Sequence, residues 1–274
     1  MTDSILIHSY KIPVKGVKKK IIYHFSDTHI TEYDALSDEN ERLCAIEDTR
    51  EWEGLRLGFA RDHGASWDER QLVSAGEHLR NLLSAAGDGD AVVLAGDICD
   101  NMSGANLRFL NSALGELSVP FMAVCGNHER AEEFPGSMHF SGMKKPVQVA
   151  DLGDVILFGI DNARRQISAE QNRALLDTLA LGKPVIVVMH VPVRTEGNAE
   201  KFEKCGEYFQ LNHSKASAEV REFIDIIKEN SGKIAAVLAG HLHFADNSEI
   251  APGVMQYVSD QGILGNLNRY VIGE

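Results

Sequence analysis

Cysteine is scarce. Four thiols in 274 residues, Cys44, Cys99, Cys125 and Cys205, show neither CxxC spacing nor the density of a disulfide framework, which excludes a disulfide scaffold and a thiolate-rich structural zinc site. Cationic side chains are also few: 27 Lys+Arg against 40 Asp+Glu leave a formal net charge of −13. That balance opposes nonspecific attraction to nucleic acid or to an anionic membrane. It does not exclude a small phosphorylated substrate, because bound cations reverse the sign of the potential locally. No apolar run approaches membrane-spanning length, and Met1-Thr2-Asp3-Ser4 lacks the basic start and apolar core of a secretory signal. A cytoplasmic protein with reduced thiols is the expectation, with Cys99 and Cys125 as small buried filler.

What the chain does have is a 44% hydrophobic composition, enough for a substantial core in one large domain. Five apolar runs each stop at residues able to bind metal or move protons: Phe25-Ser26-Asp27-Thr28-His29, Leu94-Ala95-Gly96-Asp97, Cys125-Gly126-Asn127-His128-Glu129, Val188-Met189-His190 and Leu238-Ala239-Gly240-His241-Leu242-His243. A buried strand that ends in a carboxylate or imidazole delivers it to the rim of a sheet, where open α/β folds collect ligands.

Strands are expected at 5–7, 21–25, 91–94, 121–124, 185–189 and 234–238. Helices are expected over 72–83, 106–117, 169–181 and 217–229. Further strand-like pieces at 147–149, 155–160, 254–258 and 268–272 are not all separated by helices. This mixture predicts an α/β fold in which two mixed β-sheets pack as a sandwich with flanking helices, in four α-β-β-α layers. The charged segment at about 31–70 holds both tryptophans, Trp52 and Trp67. Directly after the first motif, it reads as a partly helical insertion packed over the core, a candidate lid.

Asp27 and His29, two residues apart, project to one side if the backbone stays extended, and can then share one ion. His241 and His243 have the same spacing, but a turn after Gly240 lets them diverge toward different ions. Asp97 has two oxygens with which to bridge a pair of cations. Asn127 adds a carbonyl oxygen and His190 an imidazole, a nitrogen and oxygen set suited to manganese, iron, zinc or similar divalent or trivalent ions. His128, oriented by Glu129 or Asp100, suits general acid work near neutral pH.

Taken together, Asp27-x-His29, Gly96-Asp97-x-x-Asp100, Gly126-Asn127-His128-Glu129, His190 and Gly240-His241-x-His243 resemble the calcineurin-like metallophosphoesterase superfamily, over about residues 20–245. The resemblance implies a dinuclear site at strand ends. One ion takes Asp27, His29, Asp97 and His243, the other takes Asp97, Asn127, His190 and His241, and His128 approaches the phosphoryl oxygen or leaving group. The implied chemistry is in-line attack on phosphorus by a hydroxide bridging the metals, in a phosphate monoester or diester of a small metabolite or nucleotide.

Two other functions fit less well. A metal-dependent nuclease needs a basic or aromatic track for a strand, which the acidity opposes, and a non-catalytic interaction module has no use for a full ligand set. Arg164, Arg165 and Arg194 are candidates for a second phosphate. His8, His24, His78, His139 and His213 have no ligand spacing and read as structural. His63, beside Arg61 and Asp62 in the possible lid, is a candidate substrate contact.

Overall fold

Alternation along the buried strands sorts side chains into three apolar layers, and those layers define the architecture. The computed structural model describes residues 5–62, 73–133, 138–206 and 209–274. In chain order the strands are β1 (Leu6–Ile12), β2 (Lys20–Phe25), β3 (Ala91–Leu94), β4 (Phe121–Ala123), β5 (Val147–Asp151), β6 (Ile156–Ile160), β7 (Val185–Val188), β8 (Ile234–Ala239), β9 (Asp246–Ala251), β10 (Val254–Val258) and β11 (Asn266–Ile272). The helices are α1 (Glu39–Asp62), α2 (Ala75–Ala85), α3 (Gly104–Gly115), α4 (Ala169–Leu179), α5 (Ala199–Glu203) and α6 (Ala218–Glu229).

One sheet runs β1-β11-β2-β3-β4 and the other β5-β6-β7-β8-β10-β9. Both are mixed: β11 is antiparallel to β2, while β2, β3 and β4 are parallel. In the second sheet β6, β7, β8 and β10 are parallel between antiparallel β5 and β9. Ile22, Val93, Leu157, Ile186, Val188 and Leu238 face the space between the sheets. Their strand neighbours Tyr23, Phe25, Val92 and Leu94 meet Leu79 and Leu82 of α2 and Leu110 of α3. On the other outer face Phe158, Val185, Val187 and Val237 meet Leu175 of α4 and Phe223 and Ile227 of α6. The period of two along each strand thus feeds two cores at once, giving the expected four layers.

Helix starts follow local chemistry. Ser74, Ser103, Ser168 and Ser217 each accept a bond from the backbone N–H three residues on, at the starts of α2, α3, α4 and α6. Ser168 and Gln171 complete a reciprocal capping box. β9 was not anticipated: Asp246-Asn247-Ser248-Glu249 carries little strand propensity, and pairing with β10 makes it a strand at the sheet edge. The expected helix from residue 72 starts at Ala75 where it is described. Residues 63–72, including His63 and Trp67, lie outside the described residues. No described helix is long and apolar enough to cross a membrane.

Ile186 is fully buried between the sheets, whereas Leu181 is 63% exposed. Ile186→Ala is expected to lower unfolding free energy by about 2–5 kcal/mol, and Leu181→Ala by no more than about 0.5 kcal/mol. Urea denaturation of both variants checks the layer assignment, and equal losses would contradict it.

Candidate metal centre

The C-terminal ends of β2, β3, β4, β7 and β8 come from both sheets and meet at one rim. After β2 the chain leaves the ladder and is stitched to the segment after β3. Asp27 N–H donates to Gly96 O at 3.0 Å, His29 N–H to Asp97 O at 3.1 Å and Ile30 N–H to Ile98 O at 2.9 Å. Across the second sheet, Gly240 N–H donates to His190 O at 3.0 Å.

The backbone at this rim is not extended. Asp27, His29, Asp97, His241 and His243 have φ of 56°, 42°, 50°, 76° and 56°, and Arg165 is the one other described non-glycine residue with positive φ. Asp and His tolerate this left-handed region better than most residues, and such conformations persist where surrounding structure holds them. The condition of an extended Asp27-x-His29 is therefore not met; the two side chains meet through local turns instead. His241 and His243 diverge, as a turn after Gly240 allows.

Among the described residues three groups have their potential ligand atoms within 4.8 Å of one another: Asp27, His29 and His243; Asp97, His190 and His241; and, overlapping the first at His29, a group of His29, Asp100 and His128. In the first, His29 Nε2 lies 3.1 Å from His243 Nε2, and His243 Nε2 lies 3.4 Å from Asp27 Oδ1. In the second, His190 Nε2 lies 3.2 Å from both Asp97 Oδ2 and Asn127 Oδ1. Asn127 thus joins the second cluster. Burial lowers the proton affinity of His29 in the first, and Asp97 lies close enough for its charge to oppose that shift.

These groups fit a cation better than they fit each other. His190 Nδ1 is 2.7 Å from Ala95 O and His29 Nδ1 is 3.2 Å from Asp100 Oδ1. A carbonyl or carboxylate partner puts the proton on Nδ1 and leaves Nε2 of a neutral ring as a lone pair. That lone pair on His190 faces two acceptor oxygens, and on His29 it faces another imidazole nitrogen. His241 Nε2 is buried with no hydrogen-bond partner among the described residues. The carboxylates also accept backbone N–H bonds, Asp97 from His128 and Asp27 from His241, but the surplus of converging acceptors suits a cation, and the seven residues anticipated as ligands lie together at this rim.

Protonation without a metal follows the same field. Burial opposes charge on His190, but Asp97 overcomes it and raises His190 to about 9. Burial also raises Asp27, yet bonding to His243 holds its carboxyl down at about 2. Burial and the neighbouring His190 lower His241 to about 4.

Asp100 bonds His29, and its backbone oxygen lies 2.7 Å from His128 Nδ1. Its carboxylate, 3.3 Å from the same nitrogen, raises His128 to about 9. Glu129 does not orient His128. Its fully buried carboxylate accepts N–H bonds from Gly126, Asp97, Ile98 and Cys99 at 2.7, 3.0, 2.7 and 3.0 Å, tying the loops after β3 and β4 together. Those loops touch so closely that a Cβ at Gly126 would collide with the Asp97 carboxylate. At Gly96, with φ of +88°, a Cβ would lie 2.5 Å from His190 Nδ1.

Above the clusters is a cavity of about 300 Å³ lined by Asp97, Asn127, His128, His241 and His243 on the polar side and by Cys205, Phe209 and Leu242 on the apolar side. Phe209, 43% exposed, stacks on His241 at 5.1 Å; no spacing in the sequence marks it. Trp52 stacks on His29 at 4.1 Å. Arg164 and Arg165 line a separate cavity with Lys215, and Arg194 lies 3.7 Å from Glu203. Cys99 and Cys125 are buried, and burial raises both thiols.

Glu129→Gln replaces one acceptor oxygen with an N–H₂ group facing N–H donors. It is expected to lower Tm and to weaken Mn²⁺ binding by about tenfold or more, read by calorimetric titration. Wild-type affinity in that variant would contradict the tie between the two loops.

Comparison with known proteins agrees with this geometry. The family model described as calcineurin-like phosphoesterase matches residues 21–245. A probable cyclic nucleotide phosphodiesterase of Fibrobacter succinogenes is 26% identical over 202 residues, covering 69% of this chain and 73% of that protein. The crystal structure of a dimetal phosphatase from Danio rerio superposes with a TM-score of 0.59 at 12% identity, covering 89% of this chain and 88% of that one, a likeness of fold. With its strand-end motifs lying inside the matched span, the chain belongs to the calcineurin-like phosphoesterase family.

Proposed function

We propose that this metallophosphoesterase hydrolyses a small phosphodiester with a nucleoside-like leaving group, such as a cyclic nucleotide, at a dinuclear metal centre. The observation that carries the reading is the convergence of acceptor atoms in two adjoining clusters with His128 beside them. The proposed ligands are Asp27, His29 and His243 for one ion and Asn127, His190 and His241 for the other, with Asp97 shared between them. Bound there, two cations supply charge neutralisation for the phosphoryl group and a water acidic enough to attack near neutral pH.

The chain's own groups then have distinct tasks. Ala95 O and Asp100 hold the Nδ1 protons of His190 and His29 and so aim both Nε2 atoms inward. The Asp100 backbone oxygen does the same for His128, leaving Nε2 for the cavity that His128 lines. From there it donates a proton to the departing oxygen. Phe209 and Leu242 give the leaving group an apolar wall, and a cavity of about 300 Å³ suits a small molecule. The diester preference is supported by the described activity of the Fibrobacter relative. In the proposed single domain, α1, the described helix of the segment at about 31–70, is the candidate lid, bordering the first cluster through Trp52.

His128→Ala is expected to reduce kcat by about a hundredfold to ten thousandfold while metal content stays at the wild-type level; full turnover would remove the acid role. With Mn²⁺ supplied, 3′,5′-cyclic AMP and bis(4-nitrophenyl) phosphate are expected to be cleaved faster than 4-nitrophenyl phosphate. Hydrolysis confined to the monoester would overturn the diester reading, and cleavage of single-stranded DNA that rises as salt falls would favour a nuclease.

A further inference from the structure

Helix α1 presents an unusual face to the protein. Glu41, Ala45, Asp48, Thr49, Trp52 and Arg56 recur at helical spacing, on one stripe, and nearly all are polar. Glu41 accepts from Ala105 N–H at 3.1 Å, Asp48 from Asn101 Nδ2 at 2.9 Å, and Thr49 Oγ1 meets Thr31 Oγ1 at 2.7 Å. Arg56 donates to Val73 O at 2.7 Å. Meanwhile Leu43 and Leu55 are 58% and 57% exposed. Among the described residues the helix is joined to the loops after β2 and β3, to the start of α3 and to Val73 by hydrogen bonds, with Ala45 buried and Trp52 packed against the core beside α2 and α3.

Trp52 connects this docking to the metal centre. Its Nε1–H donates to Asp100 Oδ1 at 2.9 Å, the same oxygen that accepts from His29 Nδ1 at 3.2 Å. Its ring lies on His29, with centroids 4.1 Å apart and planes 26° apart, and 5.7 Å from His243. The indole therefore fixes His29 twice, by covering its face and by holding the carboxylate that orients it. We infer that Trp52 is a positioning residue whose indole, by its bond to Asp100 and its cover of His29 and not by the docking of α1 as such, sets the metal affinity and turnover of the Asp27, His29 and His243 cluster. This rests on the dinuclear reading of the site. The second cluster is held instead by Ala95 O and the Glu129 tie, neither of which involves α1.

The test is titration of metal-stripped full-length protein with Mn²⁺, by calorimetry and elemental analysis, for the wild type, Trp52→Phe and Asp48→Ala. Phenylalanine keeps a ring against His29 but offers no N–H to Asp100. In Trp52→Phe one Mn²⁺ equivalent is expected to weaken by about tenfold while the other is unchanged, and kcat is expected to fall with KM retained. Asp48→Ala removes the bond to Asn101 from the same helix while every hydrogen bond to Asp100 is kept, and it is expected to keep the wild-type profile. A Trp52→Phe protein that loses Tm but keeps both Mn²⁺ affinities and kcat would show a packing role alone and overturn the inference. So would a profile in which both equivalents weaken together, or one that Asp48→Ala reproduces. If the wild type takes up no Mn²⁺, the dinuclear reading falls as well, which separates the two failures.

Discussion

The whole rim depends on one electrostatic constraint: carboxylate and amide oxygens are packed against imidazole nitrogens, with more acceptors than the backbone N–H donors of His128 and His241 can satisfy, and positive charge between them relieves the remaining repulsion. Asp27, Asp97, Asn127 and four imidazoles occupy a volume in which Nε2 of His190 faces two oxygens and Nε2 of His29 faces His243. Without a metal the field is met by protons, which is why His190 is raised to about 9 although it is fully buried. His241 and His29 are shifted the other way by burial, so the protons are taken unevenly, and divalent cations would compete with them for the same lone pairs.

Keeping such a cluster assembled requires rigidity from elsewhere. The sandwich supplies it with strands buried on both faces, whose C-terminal ends cannot move without disturbing two apolar layers. The loops add cross-ties. Glu129 joins the turns after β3 and β4 through four backbone N–H groups, and the bonds from Asp27, His29 and Ile30 join the turn after β2 to that after β3. Five left-handed residues at the rim cost of order 1–3 kcal/mol each by general experience, and these ties hold them in place.

Much of this was legible in the amino-acid sequence. Buried parallel strands read as short apolar runs, and a polar residue at the end of each run stands out against them, so the seven ligand candidates, His128 and the two-sheet architecture could be named. The geometry was not. Nothing in Asp27-Thr28-His29 announces a left-handed backbone, and an extended segment was the natural expectation. β9 escaped notice because its polar residues become a strand only through pairing with β10. Trp52 and Phe209 lie far along the chain from the histidines they cover, and only tertiary structure brings them there. Glu129 was recognised, but its carboxylate binds backbone and not the neighbouring imidazole, a choice set by loop packing.

The central claim is that seven separated side chains enclose two neighbouring cations. The most direct test is anomalous diffraction from crystals of the full chain grown with Mn²⁺. Two peaks about 3.5–4 Å apart are predicted, one against Asp27, His29 and His243 and the other against Asn127, His190 and His241, with Asp97 touching both. Manganese bound elsewhere, or no peak at this rim at saturating Mn²⁺, would contradict the account.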